Sequence, residues 1–267
     1  MKNLIILKLG GSVITDKKSE IPKVNYEVVE RLAREIFEAY SSNKFKLILI
    51  HGAGSYGHQI VKKTGIDKGI KTKEQIVAFA ETQRLQNELN SIITKIMIDK
   101  GLPTIPCQAS SHAVMKSGRL IKMDIRVIKG LLKIGLIPVL YGVPAFDIEQ
   151  KCSILSGDQI APYLAKALKA NKIIHGTNVN GIYTSDPNLD KNAIHIPEIS
   201  EGNIDEVKKY LSDSSTVDVT GGMLGKVLET LEVAISYGIP TQIVNALDPN
   251  NIKLALLGEK IGTIIHK

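Results

Sequence analysis

An α/β fold with a mainly parallel, doubly covered sheet is what this 267-residue chain predicts, and three observations carry the prediction. Short β-branched runs alternate with amphipathic helical stretches along the whole length. Several of the runs end in glycine-rich turns, as strands do where a ligand site opens beyond their carboxyl ends. A hydrophobic content of 43% is enough to bury such a sheet on both faces.

The elements follow in order. "NLIILKL" at the start predicts a first strand rather than an export signal, because Lys8 and the pair Gly10 and Gly11 interrupt its apolar stretch and no small-residue cleavage site follows. "VNYEVVERLAREIFEAYSS" predicts a helix, "KFKLILI" a second strand, and Lys73 to Lys100 a long helix. "AFDIEQKCSIL" predicts a hairpin turning at Glu149 and Gln150. The helix in "SGDQIAPYLAKAL" must start near Asp158, since Pro162 is tolerated only close to a helix start. "LIPVLYG", "NKIIHGT", "TQIVN" and "GTIIH" predict further strands, and the helix opened by "DVTGGMLGK" has an expected apolar face of Leu224, Val227, Leu228, Leu231 and Ala234.

Composition excludes several functions. The longest apolar runs fall well short of the ~20 residues that span a bilayer. Cys107 and Cys152 are far apart and form neither a disulfide framework nor a CxxC site, which fits a cytoplasmic protein. The net charge of +7 would suit an anionic partner, but the lysines are scattered and aromatics are only 4%, which argues against nucleic acid. His112, His175, His195 and His266 show no metal-site spacing, so no protein metal ligands are assigned.

Residues Gly52 to Gly57 match the GxGxxG pattern, but no second strand with a ribose-binding acid follows, and the Walker A spacing is absent. What remains is a set of backbone N–H donors in "GGS", "HGAG", "SGD" and "TGGM", alongside Lys8, Lys17 and Lys226 at strand or helix ends. Glycine lets the main chain approach phosphate oxygens and helix starts favour anions, so together these could clamp a polyphosphate. Taken singly, each glycine could serve only a tight turn and each lysine only solvent.

The ordered motifs "KLGGSVITDK", "HGAGSYGH", "LSGDQIAPYLA", "GIYTSDP" and "DVTGGMLGK" resemble the amino acid kinase superfamily over nearly the whole chain, with the isopentenyl phosphate kinases as the most similar branch. The resemblance implies a three-layer αβα sandwich in one continuous structural domain, with residues 1–170 binding the phosphoryl acceptor and 171–267 binding ATP. It implies ATP-dependent phosphorylation of isopentenyl phosphate to isopentenyl diphosphate in isoprenoid precursor synthesis, with Mg²⁺ riding on ATP, in a cytoplasmic homodimer. Lys8, Lys17 and Lys226 would contact the β- and γ-phosphates, and Asp158 would hold the lysines in place. Gly10, Gly11, Ser12, Thr177 and Gly222 would line the ATP phosphates, and Gly181, Tyr183, Asp186 and Pro187 the nucleoside. Gly52, Ala53, Gly54, His58 and Gly157 would hold the acceptor phosphate, while Phe79, Thr82 and Ile154, with Gln83, Leu85 and "VPAF" near them, would form an apolar slot for its tail. The chain departs from the family at Val143, Asn178 and Asn180, where relatives often carry acids, so fewer carboxylates surround the expected nucleotide site.

A phosphate-monoester acceptor explains the histidine at position 58. Its second ionisation lies near pH ~6, so the attacking oxygen is already anionic and no general base is needed. The site must instead relieve repulsion between two anions, and an imidazole beside a dianion favours its charged donor form. His51, at the strand end, is expected to make structural hydrogen bonds. Two rival readings follow from the same motifs: a fosfomycin-type phosphonate kinase, and a non-catalytic nucleotide-binding regulatory protein.

Overall fold

The computed structural model describes residues 3–16, 19, 21–42, 45–187, 189–213 and 222–267. In chain order the first half comprises β1 (Leu4–Leu9), α1 (Gly11–Ile14), α2 (Tyr26–Ser42), β2 (Lys46–His51), α3 (His58–Thr64), α4 (Lys73–Asp99), β3 (Thr104–Pro106), β4 (Ala113–Lys116), β5 (Arg119–Met123), α5 (Arg126–Lys133), β6 (Ile137–Tyr141), β7 (Val143–Asp147) and β8 (Lys151–Leu155). The second half comprises α6 (Gly157–Leu168), β9 (Lys172–Thr177), β10 (Ile182–Tyr183), β11 (His195–Ile196), β12 (Glu198–Ile199), α7 (Ile204–Asp213), α8 (Gly222–Tyr237), β13 (Thr241–Asn245), α9 (Asn251–Leu257) and β14 (Thr263–Ile265).

The central sheet has the order β12-β14-β13-β9-β1-β2-β6-β3, and only the β13–β14 pairing is antiparallel. Strand alternation sorts its side chains into two cores. Ile5, Leu7 and Leu9 pack with residues of α2, α4 and α9 on one face. Leu4 and Ile6 pack with α5, α6 and the smaller sheet β5-β4-β7-β8 on the other. This is a three-layer sandwich, and the same alternation turns Lys8 toward the α6 face and His51 toward the α4 face.

The local expectations hold with two corrections. The hairpin does turn at Glu149 and Gln150, where buried Asp147 accepts both backbone N–H groups together with those of Ser117 and Gly118. Ser156 caps α6 with its hydroxyl on the Gln159 N–H, so the helix opens at Gly157, but Pro162 then falls in the second turn, where it withholds an N–H from the Asp158 carbonyl. The expected apolar face of α8 is narrower than predicted, because Leu228 is exposed while Val227, Leu231 and Ala234 are buried. The long helix α4 begins behind a capping box formed by Thr72 and Gln75.

Candidate active site

Lys8 is a charge inside an otherwise apolar strand buried on both faces, and such a charge needs a partner. The partner is Asp158 at the mouth of α6: Lys8 Nζ lies 3.1 Å from Oδ1 and 3.3 Å from Oδ2. The two side chains are 8% and 15% exposed, so the pair is largely shielded from bulk water. Gly157 keeps the path clear, since a Cβ there would lie 3.4 Å from Lys8 Cε and 3.1 Å from Ile50 Cγ2. A third group joins this pair. His175 is the register partner of Lys8 across the β1–β9 pairing, is fully buried, and places Nδ1 3.5 Å from Asp158 Oδ1. Nothing in the spacing of His175 marks it. Its one sequence signal is its phase in "KIIHGT", two residues after Ile173 on the α6 face.

The two glycine turns that follow β1 and β2 touch each other. A Cβ on Gly11 would sit 2.4 Å from the Gly54 nitrogen, and one on Gly52 would sit 2.5 Å from the Gly11 nitrogen. These glycines serve a backbone-to-backbone approach that no side chain permits. Gly54 also has φ +52°, and the Thr15 hydroxyl accepts the Ser55 N–H 3.0 Å away, locking the second loop onto the end of α1. Gly10 is tied in the same way to the end of β9, its N–H donating to the Gly176 carbonyl at 2.8 Å. Lys8, Gly10, Gly11, Gly52, Gly54, Gly157 and Asp158 therefore gather at the carboxyl ends of β1 and β2 and the start of α6, with Ser12 in α1.

His51 makes the structural bonds expected of it. Its Nδ1 lies 3.0 Å from the Gly52 carbonyl and its Nε2 3.0 Å from the Asn90 amide nitrogen, while the ring stacks on Tyr141 with centroids 5.3 Å apart. A carbonyl only accepts, so Nδ1 carries the proton and Nε2 accepts from Asn90. Burial holds the pKa down to about 4 against a weaker upward pull from the Gly52 carbonyl, and the ring is neutral at physiological pH.

His58 opens α3 directly after this loop and is half-buried. One turn on, Val61 joins Ile66, Ala78 and Cys152 in a small apolar cluster against which Phe79 and Ile154 pack. The structure thus brings Phe79 and Ile154 together against α3, the helix that His58 opens. Thr82 lies one turn further along α4, buried, with its hydroxyl spent on the Ala78 carbonyl at 2.7 Å, so it can present only its methyl group. Gln83 is likewise committed, donating to Ser110 and to the Pro144 carbonyl.

On the other side, Thr177 ends β9 with its hydroxyl bonded to the Val179 carbonyl at 2.8 Å, and Gly181 takes φ +107° with the Thr263 hydroxyl where a Cβ would go. Tyr183 packs on His195 with ring centroids 5.1 Å apart, ahead of Asp186 and Pro187 in the following loop. Gly222 and Lys226 lie in the first turns of α8. Lys17 and the stretch 214–221, which holds Asp218, lie outside the described residues, as do the side chains of Leu224 and Lys226. From α8, Glu229 receives a bidentate guanidinium from Arg119 of the β4–β5 hairpin, and that hairpin is also bonded through Leu120 N–H and the Gly118 carbonyl to Gln159, next to Asp158. Among the described residues, no three His, Cys, Asp or Glu side chains group as a metal site would require, and no helix is long and apolar enough to cross a membrane.

Comparison with known proteins shows the family and the fold. The amino acid kinase family pattern matches residues 3–245. The isopentenyl phosphate kinase of Methanothermobacter thermautotrophicus is 38% identical, with 97% of each chain covered, and that of Methanocaldococcus jannaschii is 37% identical over 98% of each. A crystal structure of an isopentenyl phosphate kinase superposes with a TM-score of 0.85 at 35% identity, covering 98% of this chain and 100% of the other. A buried lysine–aspartate pair beneath interlocked glycine loops, in a sheet of this order, is thus set in a sequence that belongs to the amino acid kinase family, among its isopentenyl phosphate kinases.

Proposed function

We propose that this chain transfers the γ-phosphoryl group of ATP to a phosphate oxygen of isopentenyl phosphate, giving isopentenyl diphosphate and ADP. The observation that carries the reading is the buried Lys8–Asp158 pair at the strand ends beneath the interlocked glycine loops, and the apolar residues Val61, Phe79 and Ile154 packed against α3 are the lining we assign to the acceptor's tail. Relatives bearing the isopentenyl phosphate kinase name, at 37–38% identity over nearly their full length, support the choice of acceptor.

The acceptor oxygen attacks the γ-phosphorus as the bond to the ADP oxygen breaks, and charge moves onto the leaving diphosphate. The chain's task is alignment and charge neutralisation. Asp158 fixes the Lys8 ammonium toward the phosphates, the glycine loops supply N–H groups, and His58 donates to the acceptor phosphate. Lys17 and Lys226 complete the clamp, Gly10, Gly11, Ser12, Thr177 and Gly222 surround the ATP phosphates, and Gly181, Tyr183, Asp186 and Pro187 line the nucleoside. Gly52, Ala53, Gly54 and Gly157 border the acceptor phosphate. Mg²⁺ carried by ATP would add to the charge neutralisation supplied by the Lys8 ammonium that Asp158 holds. The family resemblance also supports an acceptor half, 1–170, from which Lys8, Gly10, Gly11 and Ser12 reach the ATP phosphates, a nucleotide half, 171–267, and a cytoplasmic homodimer, the last checked by light scattering.

The test is ADP release with isopentenyl phosphate, dimethylallyl phosphate and fosfomycin as acceptors, together with an acceptor-free control. Efficient turnover of isopentenyl phosphate is expected, and a clear preference for fosfomycin, or no turnover with any acceptor, refutes the reading. His58→Ala is expected to depress turnover of isopentenyl phosphate far more than ATP binding. A purely nucleotide-side defect would remove His58 from the acceptor site.

A further inference from the structure

Two side chains that the reaction does not use hold the carbonyls of the loop after β2. His51 Nδ1 donates to the Gly52 carbonyl at 3.0 Å, and Gln86 Nε2, from α4, donates to the Ala53 carbonyl at 3.3 Å. The Ala53 carbonyl also accepts from Tyr56 N–H at 3.2 Å. Both side chains are fully buried, and Asn90 fixes the His51 ring from behind. Gly57 admits Gln86 to this position, for a Cβ there would lie 2.8 Å from Nε2.

The consequence follows from peptide geometry. The peptide bonds are trans, so the C=O of one residue and the N–H of the next lie on opposite edges of one plane. Tying back the Gly52 carbonyl turns the Ala53 N–H the other way, and tying back the Ala53 carbonyl does the same for Gly54. Neither N–H has a hydrogen-bond partner among the described residues, and the Gly54 nitrogen borders Gly11 at the end of β1. Backbone donors left without partners in a largely buried loop are rare unless something outside the chain takes them.

We infer that His51 and Gln86 are positioning residues that aim the Ala53 and Gly54 amides at the acceptor's phosphate. This rests on the acceptor reading above and assigns the loop's specificity to groups behind it. His51 and His58 thereby divide the work: the first sets the direction of the backbone donors, the second meets the ligand.

The test pairs spectroscopy with kinetics. Amide resonances of Ala53 and Gly54 are followed while isopentenyl phosphate, or inorganic phosphate alone, is titrated into the wild type and into Gln86→Met, which keeps the volume and loses the donor. Both resonances are expected to move on titration in the wild type and to move less in the variant. In steady state, KM for isopentenyl phosphate should rise about tenfold in Gln86→Met and in His51→Phe, with KM for ATP nearly constant, as expected when one buried donor is lost. His51→Asn, which restores an N–H donor near the Nδ1 position, should recover part of that loss. Amides unmoved by either phosphate, or KM values for both substrates rising together, overturn the inference. If His51→Phe does not fold, Gln86→Met decides alone. If the wild type fails to phosphorylate isopentenyl phosphate while inorganic phosphate still moves both amides, the acceptor reading fails and the aiming role stands.

Discussion

Replacing Gly11 by alanine tests the interlocked loops directly. The new methyl carbon would lie 2.4 Å from the Gly54 nitrogen and 2.7 Å from its Cα. Non-bonded heavy atoms settle at about 3.5–4.0 Å, so the two loops must part by roughly 1 Å. Neither side can yield by rotating a side chain, because both surfaces are main chain and Gly54 is held through Ser55 N–H on the Thr15 hydroxyl. Overpacking of this kind costs about 1–3 kcal/mol, and in a chain of this size each kcal/mol lowers Tm by roughly 2–4 °C. The kinetic penalty is expected to be larger in proportion, since a displacement of ~1 Å at a phosphoryl-transfer site can cost about a hundredfold in rate. Thermal unfolding and kcat/KM measured on Gly11→Ala should show both effects. Gly130→Ala is the internal control: this glycine is exposed in α5, a Cβ added there would meet nothing within 4 Å, and the change should stabilise the protein by about 0.5–1 kcal/mol at unchanged activity. A Gly11→Ala protein with wild-type Tm and wild-type kcat/KM would refute the claim that close backbone approach is why glycine stands there.

The remaining predictions concern stability. His51 has its pKa lowered to about 4, so the unfolded chain takes up a proton between pH ~6.5 and ~4 that the native state refuses; stability is full above that window and falls by on the order of 3 kcal/mol across it. Urea midpoints of wild type and His51→Asn should converge as pH drops through this range, while the burial-lowered His112 and His195 contribute equally to both proteins. Burial pushes the Asp147 carboxyl up, but donation from Gly118 N–H, the Ser153 hydroxyl, Gln150 N–H and Glu149 N–H together hold it well below the usual carboxylate range. Its contribution is therefore present above pH ~4 and lost as pH falls further, so Asp147→Asn should cost about 2–3 kcal/mol at pH 7 and less in acid, read from urea unfolding. Arg119 is 63% exposed, and a double-mutant cycle with Glu229 should return a coupling below about 1 kcal/mol that shrinks in high salt.

How much of this was written in the sequence depends on whether a feature is local. Lys8 stands out in an apolar run that burial on both faces explains, and Asp158 is placed by a serine cap before it and a proline after it; both can be read from a dozen residues. The glycine pairs announce close approach, but their partners are other glycines some 40 positions away, and that meeting depends on β1 and β2 lying side by side in parallel register. Gln86 is harder still. Thr82, Gln86, Asn90 and Thr94 recur every fourth residue along α4, the pattern of a solvated face, yet all four are buried. What makes the column tolerable is that its donors find backbone acceptors: Thr82 the Ala78 carbonyl, Gln86 the Ala53 carbonyl, Asn90 the Val139 carbonyl and Thr94 the Asn90 carbonyl. A polar helical stripe has two meanings, water or main chain, and periodicity alone does not separate them. The separating fact is tertiary: α4 runs behind the glycine loop and the end of β2, where carbonyls need donors that the sheet does not provide. His175 is missed for the same reason, since its importance comes from standing beside Lys8 in the β1–β9 register rather than from any neighbour in sequence. Residues that touch a ligand leave traces in motifs, whereas residues that aim those motifs are visible only once strand order and helix placement are fixed.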